Sequence, residues 1–147
     1  MKSQLNRVLP LFSLIFLASL AQASSKLDSK IECSGKSGGQ AISILANPKT
    51  QTLEITTYPK HHAGGLNSGA IQVASYPITE VRPMFPVYSL TAEKDLSPVD
   101  GRDVKLTLSI SAELWMAGQT NPGTLTTETS GKLGLKTTRL KVKCSKE

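Results

Sequence analysis

The histidine pair His61-His62 lies in the segment TYPKHHAGGLNSG, which spans 57–69 and is the part of the chain that most resembles a chemical site. Neutral imidazole binds zinc and copper, and it also serves as a general acid or base near neutral pH. A lasting metal site needs three or four ligands with supporting contacts, yet this segment adds neither a carboxylate nor a thiolate. The pattern favours a solvated loop at a binding rim. A secreted hydrolase or metalloenzyme that uses His61 or His62 stays open as an alternative.

Two further motifs resemble functional sites but lack the surrounding residues that such sites need. The run GKSGG at 35–39 fits the G-x-S-x-G pattern of a nucleophilic serine at Ser37, but that motif needs a strand-to-helix turn and a histidine base. A strand-like QAISIL follows instead, so we predict a glycine hairpin turn. The acidic segment EKDLSPVDGRD at 93–103 has no calcium-loop spacing and interleaves Lys94 and Arg102, as a charged surface turn does. We therefore predict no catalytic residues, no metal and no cofactor, and expect a protein that is not an enzyme.

The strongest charge pattern is in the C-terminal tail. Arg139, Lys141 and Lys143 share one face of a predicted strand, with Leu140 and Val142 on the other. Such a basic face either lies in solvent and guards a strand edge, or binds an anionic partner such as an envelope polymer, a lipid headgroup or an acidic protein. Nucleic acid is the least favoured partner, because aromatic residues make up 5% of the chain and no base-stacking motif is present.

An apolar candidate for a partner surface is VRPMFPVY at 81–88, which is interrupted by prolines. We expect Met84 and Phe85 to cap one end of the core, or else to present an apolar anchor. Trp115 and Met116 are expected to complete the core after the best-defined strand. The residues predicted to share a ligand or partner rim are Tyr58, His61, His62, Met84, Phe85 and Trp115.

The first 23 residues have the layout of a cleaved secretory signal peptide. A basic start precedes an apolar run from Val8 to Leu20, which closes on Ala21-Gln22-Ala23. This run is too short for a membrane span, which needs about 20 residues, and no later stretch approaches that length. We predict one domain over 24–147, without a transmembrane segment, that is secreted or periplasmic.

The chain has two cysteines, Cys33 and Cys144. In an oxidising compartment such a pair usually forms one disulfide. We predict this bond, which links the first and last strands of the domain.

Period-two alternation over most of the chain predicts an all-β fold, a single antiparallel barrel or sandwich of about 7–9 short strands. The clearest strand is 104–112, and 40–58 is predicted to be a hairpin. Ile71 and Val73 are placed on one face of a strand over 71–76. More local expectations are a short helical turn over 91–96 and a turn at 121–123. The apolar parity changes near 137–138, which predicts a bulge there or, alternatively, two separate strands that meet there.

These patterns favour a non-enzymatic binding module for a protein or an envelope component, and inhibition of a secreted enzyme is one form of that hypothesis. A carrier with a small ligand inside the barrel is an alternative of a different class. The sequence identifies neither the partner nor the oligomeric state.

Overall fold

The computed structural model describes residues 26–59, 71–96, 101–112 and 116–147. They form eight strands: β1 (Ile31–Ser37), β2 (Gln40–Asn47), β3 (Thr52–Thr57), β4 (Gln72–Met84), β5 (Val87–Asp95), β6 (Asp103–Ser111), β7 (Thr120–Gly131) and β8 (Gly134–Lys146). Each strand pairs antiparallel with the next, and β8 returns to β1, so the sheet is a closed barrel. The all-β prediction is confirmed, and the barrel rather than the sandwich is correct.

The barrel interior is filled by alternate side chains of the strands. In β6, Leu106, Leu108 and Ile110 are at most 1% exposed, as the alternation of this segment predicts. They belong to one apolar cluster that also contains Leu27, Ile31, Cys33, Ile44, Ala46, Leu53, Val81, Tyr88, Leu90, Ala92, Leu125, Val142 and Cys144. Burial of this cluster is the main force that holds the strands in register.

The seam between the first and last strands carries the predicted disulfide. Cys33 and Cys144 are directly opposite each other in the β1–β8 ladder, with their Cα atoms 4.0 Å apart. The bond joins residues separated by 111 positions in the chain. The hydrogen-bonded ladder and the covalent bond thus close the barrel at the same place.

The segment before β1 is fixed to the β2–β3 turn by the amide of Gln51. The Leu27 N–H donates to Gln51 Oε1 at 3.0 Å, and Gln51 Nε2 donates to the carbonyls of Leu27 and Pro48 at 2.9 and 2.7 Å. Gln51 has φ 53°, an uncommon conformation for a residue with a side chain. These hydrogen bonds hold Leu27 in the core, where it is 2% exposed.

The predicted hairpins are confirmed in detail. β2 and β3 form the hairpin expected over 40–58. The GKSGG run forms the β1–β2 turn, in which Gly38 and Gly39 have φ of 56° and 84°. Both positions lie in the region that glycine adopts without a steric cost, so Ser37 is part of a hairpin and not of a strand-to-helix turn.

The bulge predicted near 137–138 is wrong. β8 pairs regularly with β7 from Gly134 to Ser145, and the register irregularity of the barrel lies in β4, between Ile78 and Glu80. Leu135 and fully exposed Leu133 do not face the core. β1 pairs only with the second half of β8. The first half of β8 therefore extends past the barrel wall, where its side chains need not alternate between core and solvent.

Four more local predictions are wrong. Residues 91–95 belong to β5 and form no helical turn, and 121–123 lie within β7 and form no turn. Phe85 is 76% exposed in the β4–β5 turn and does not cap the core. Met116 is 66% exposed and does not complete the core.

The strand predicted over 71–76 corresponds to the start of β4. Ile71 directly precedes β4 and Val73 lies in it, and both are on the outer face, since they are 58% and 64% exposed.

No helix in the described part of the chain is long and apolar enough to cross a membrane. The predicted signal peptide over 1–23 lies outside the described residues.

Candidate binding trough

A row of residues aligned across five neighbouring strands forms the floor of an extended surface depression. Ile110, Gly123, Val142, Gly35 and Ile42 pair successively across β6, β7, β8, β1 and β2. Their side chains, where present, point inward, so the residues before and after each of them point outward. The two outward rows enclose an open depression of about 980 Å³, which we call the basic trough.

The walls of the basic trough are built mainly from small hydroxyl side chains and lysines. One wall contains Val87, Ser111, Pro122, Lys143, Ser34 and Ser43, and the other contains Ser109, Thr124, Lys141, Lys36, Ala41 and Tyr58. Ladder pairs such as Pro122 with Lys143 and Thr124 with Lys141 fix the order of residues along each wall. The short hydroxyl side chains leave the floor accessible between the longer ones.

Gly35 and Gly123, the two glycines of the floor, allow neighbouring strands to pack closely beneath the trough. A Cβ atom at Gly35 would lie 3.0 Å from the Lys141 carbonyl oxygen and 3.0 Å from Val142 Cγ1. At Gly123 it would lie 3.0 Å from the Ser109 carbonyl oxygen. Real Cβ atoms seldom approach backbone so closely, so larger residues would push neighbouring strands apart and change the shape of the floor.

Three lysines give the basic trough its charge. Lys141 and Lys143 are on opposite walls, two residues apart on β8, and Lys36 on β1 follows the pair Gly35–Val142, which places it beside Lys141. All three are exposed. Within the described residues none of them forms an ion pair, and no carboxylate lines the trough. Like charges on adjacent strands repel each other, and an anion between them relieves that repulsion.

The two extremities of the basic trough are apolar. Val87 lies at the start of β5 and is 44% exposed, while Tyr58 follows β3 and is 40% exposed. The Tyr58 N–H donates to the Ala41 carbonyl at 2.9 Å, which continues the β2–β3 ladder by one step. A ligand along the trough therefore passes from one apolar contact, over the lysines, to another.

A second, smaller depression of about 430 Å³ has the opposite charge. It also lies between two outward rows, here on β5, β6, β7 and β8, and its lining includes Glu93, Asp95, Asp103, Glu128 and Lys105. A hydrogen bond with Asp95 raises the pKa of Asp103 above its ordinary value, as expected where two carboxyl groups share a proton. Lys105 Nζ lies 3.8 Å from Glu93 Oε1. We call this depression the acidic trough.

Metal chemistry is not indicated in the described part of the chain. No group of three or more histidine, cysteine, aspartate or glutamate side chains there is arranged to hold a metal ion. His61, His62 and Trp115 lie outside the described residues, so their grouping at a rim stays a prediction.

The remaining predicted rim residues do not share one end of the barrel. Tyr58 follows the last residue of β3, whereas Met84 and Phe85 lie where β4 passes into β5. Since β4 runs antiparallel to β3, these positions are at opposite ends. Tyr58 lines the basic trough, while Phe85 does not.

The predicted basic face overlaps with the basic trough. Arg139, Lys141 and Lys143 are all exposed on β8, and Lys141 and Lys143 line the basic trough. Arg139 lies one step further along the same outer face, opposite Thr126.

Sequence reasoning missed Lys36 and the hydroxyl residues of β1, β6 and β7. Alternation with apolar residues marked Ser109 and Ser111 as outward. The alignment of all these residues depends on the registers of strands far apart in the chain. Pro122 was interpreted as a turn residue and in fact stands in the trough wall.

Comparison with known proteins gives no match to a family model, to a curated protein or to a solved structure.

Proposed function

We propose that this chain is a non-enzymatic binding module, exported from the cell, that holds an anionic partner in the basic trough. The observation that carries the proposal is the placement of three exposed lysines around one trough whose described lining contains no carboxylate. Lysine ammonium groups are point charges on flexible stems, so they attract anions without demanding one fixed geometry.

The scaffold supports a role in binding because the trough is built on strands and not on loops. Its floor lies on five consecutive strands of a closed sheet, and the Cys33–Cys144 bond lies in the same seam. A preformed surface loses little conformational entropy when a partner binds. The disulfide is also typical of proteins in an oxidising compartment, which supports export.

The carrier alternative has less support. Leu90, Leu106 and Leu108 occupy the middle of the barrel at 1% exposure or less. Both depressions described above lie between outward rows and not inside the barrel.

A capture experiment with two matched variants tests the proposal. The wild-type protein, a trough variant (K36S/K141S/K143S) and a control variant (K26S/K49S/K132S) are immobilised and exposed to an envelope extract. Both variants lose the same charge, but the control lysines are exposed outside the trough. We expect the wild type and the control to retain the same anionic partner, and the trough variant to lose it.

The salt dependence of capture provides a second measurement. Salt screens exposed charges over about 8 Å at physiological ionic strength and over shorter distances at higher ionic strength. Retention of the partner should therefore decline as the salt concentration rises above the physiological value. Equal retention of the same partner by the trough variant, or no specific retention by any of the three proteins, would contradict the proposed function.

A further inference from the structure

The shape of the basic trough, together with its charge, indicates what kind of anion it takes. We infer that its ligand is an extended segment of an acidic protein, with several aspartates or glutamates close together in sequence. This inference rests on the proposed function, because it names the partner class of the same site.

The basic trough has a floor only one residue wide. Its walls are the residues before and after each floor residue, as Ser34 and Lys36 are around Gly35. Side chains two residues apart on a strand are separated by about 6.6–6.8 Å, whereas neighbouring chains pack about 4.7–4.9 Å apart. A partner therefore lies over the floor and against the tips of the wall side chains, where a single extended chain can contact both rows at once.

The lysines of the basic trough are distributed over both walls. Lys36 and Lys141 are on one wall and Lys143 is on the other. In an extended peptide, successive side chains point to opposite sides. Consecutive acidic residues along the trough therefore direct carboxylates to both walls at once. The spacing of the barrel strands differs from the residue repeat of an extended peptide, and the flexible lysine side chains can adjust to that difference.

The length and lining of the basic trough also suit a short extended peptide. Five strands at about 4.8 Å spacing span roughly 19 Å, which corresponds to about six extended residues at 3.2–3.4 Å each. Val87 and Tyr58 add an apolar contact at each extremity. Most of the accessible lining of the trough is apolar, and the hydroxyls of Ser109, Ser111 and Thr124 add hydrogen-bonding groups along the walls. This combination suits a peptide, which has apolar side-chain carbons beside a polar backbone.

The test measures fluorescence anisotropy of dye-labelled probes with the purified protein. The labelled probes are hexaglutamate and hexaglutamine, and the unlabelled competitors are a hexamer of galacturonate with the same number of carboxylates and vesicles that contain phosphatidylglycerol. We expect hexaglutamate to bind, hexaglutamine not to bind, and the uronate and the vesicles to compete weakly. The trough variant should bind hexaglutamate roughly 10–100-fold more weakly, if each exposed lysine contact contributes roughly 2–5-fold, while the control variant should match the wild type.

Each outcome is decisive for the partner class. Preference for the uronate or for the vesicles over hexaglutamate overturns it, and so does equal binding of hexaglutamate by the trough variant. If the trough variant fails to capture the partner from the extract while hexaglutamate binds no better than hexaglutamine, the proposed function stands and the acidic-protein inference is wrong. Equal melting temperatures of the three proteins would show that lost binding does not reflect unfolding.

Discussion

The disulfide of the barrel seam leads to a quantitative prediction about stability. Replacement of Cys33 and Cys144 by alanine removes the covalent bond but leaves the β1–β8 ladder in place. The bond joins residues 111 positions apart, and closing a loop of that size in the unfolded chain contributes about 4–5 kcal/mol in the loop-entropy model. Small domains have total stabilities of only about 5–15 kcal/mol, so the loss should be large.

The predicted loss can be measured by thermal and chemical unfolding followed by far-ultraviolet circular dichroism. For a domain of this size, 1 kcal/mol shifts the melting temperature by roughly 3–6 °C, so the double-alanine variant should melt about 12–30 °C lower. Its denaturant m-value should increase, because the uncrosslinked chain exposes more surface when it unfolds. Reduction of the wild-type protein should give the same change.

A single-site control separates the crosslink from local packing. Val142 is 4% exposed beside the same seam, and its replacement by alanine should cost about 1–2 kcal/mol through lost packing. Reductant should lower the stability of the Val142→Ala variant by as much as it lowers that of the wild type. If the double-alanine variant loses less than about 1 kcal/mol with an unchanged m-value, the loop-entropy reasoning is refuted. Two free thiols in native protein, counted by alkylation, would refute the bond itself.

The remaining predictions concern single residues. Gly35→Ala should destabilise the protein by about 1–3 kcal/mol in chemical unfolding, because the new Cβ meets the neighbouring strand 3.0 Å away. Gly38→Ala should cost only about 1 kcal/mol, because its Cβ meets no atom within 4 Å and only its φ of +56° is unfavourable. A larger loss of stability for Gly38→Ala than for Gly35→Ala would contradict this reasoning. Gln51→Ala should cost about 1–3 kcal/mol and speed amide exchange at Leu27, because the hydrogen bonds between them are lost; unchanged exchange would count against that clamp. Burial raises the pKa of Tyr88 to about 12, so the unfolded chain releases its proton first above pH 10 and stability should fall from there towards pH 12. Tyr88→Phe should weaken that decline, and identical pH profiles for the two proteins would show that Tyr88 is not its source.

Local sequence patterns were sufficient for features that depend on neighbouring residues. The alternation of 104–112 identified β6 and its buried face, because side-chain direction in a strand follows from position alone. Gly38 and Gly39 of GKSGG marked a hairpin, because the backbone there needs positive φ. The single pair of cysteines left only one possible disulfide, and the structure confirms it.

Features that depend on which strands meet were decided by tertiary structure. The apolar parity change in the tail suggested a bulge, but Leu133 and Leu135 lie where β8 extends beyond β1 and has no core to face. Pro122 looked like a turn residue, yet the β7 ladder holds it in a strand. In both cases the local pattern was outweighed by pairing with a distant segment.

The same distinction between local pattern and strand pairing applies to the candidate site. The sequence by itself determined that Lys141 and Lys143 share a face of one strand, because they are two residues apart. Only the closed barrel brought Lys36 beside them, since β1 and β8 become neighbours when the sheet closes. The alignment of Gly35 with Gly123 through Val142 likewise depends on the registers of β1 and β7 with β8. A charge pattern along one strand is local, whereas a trough across five strands exists only after the registers are set.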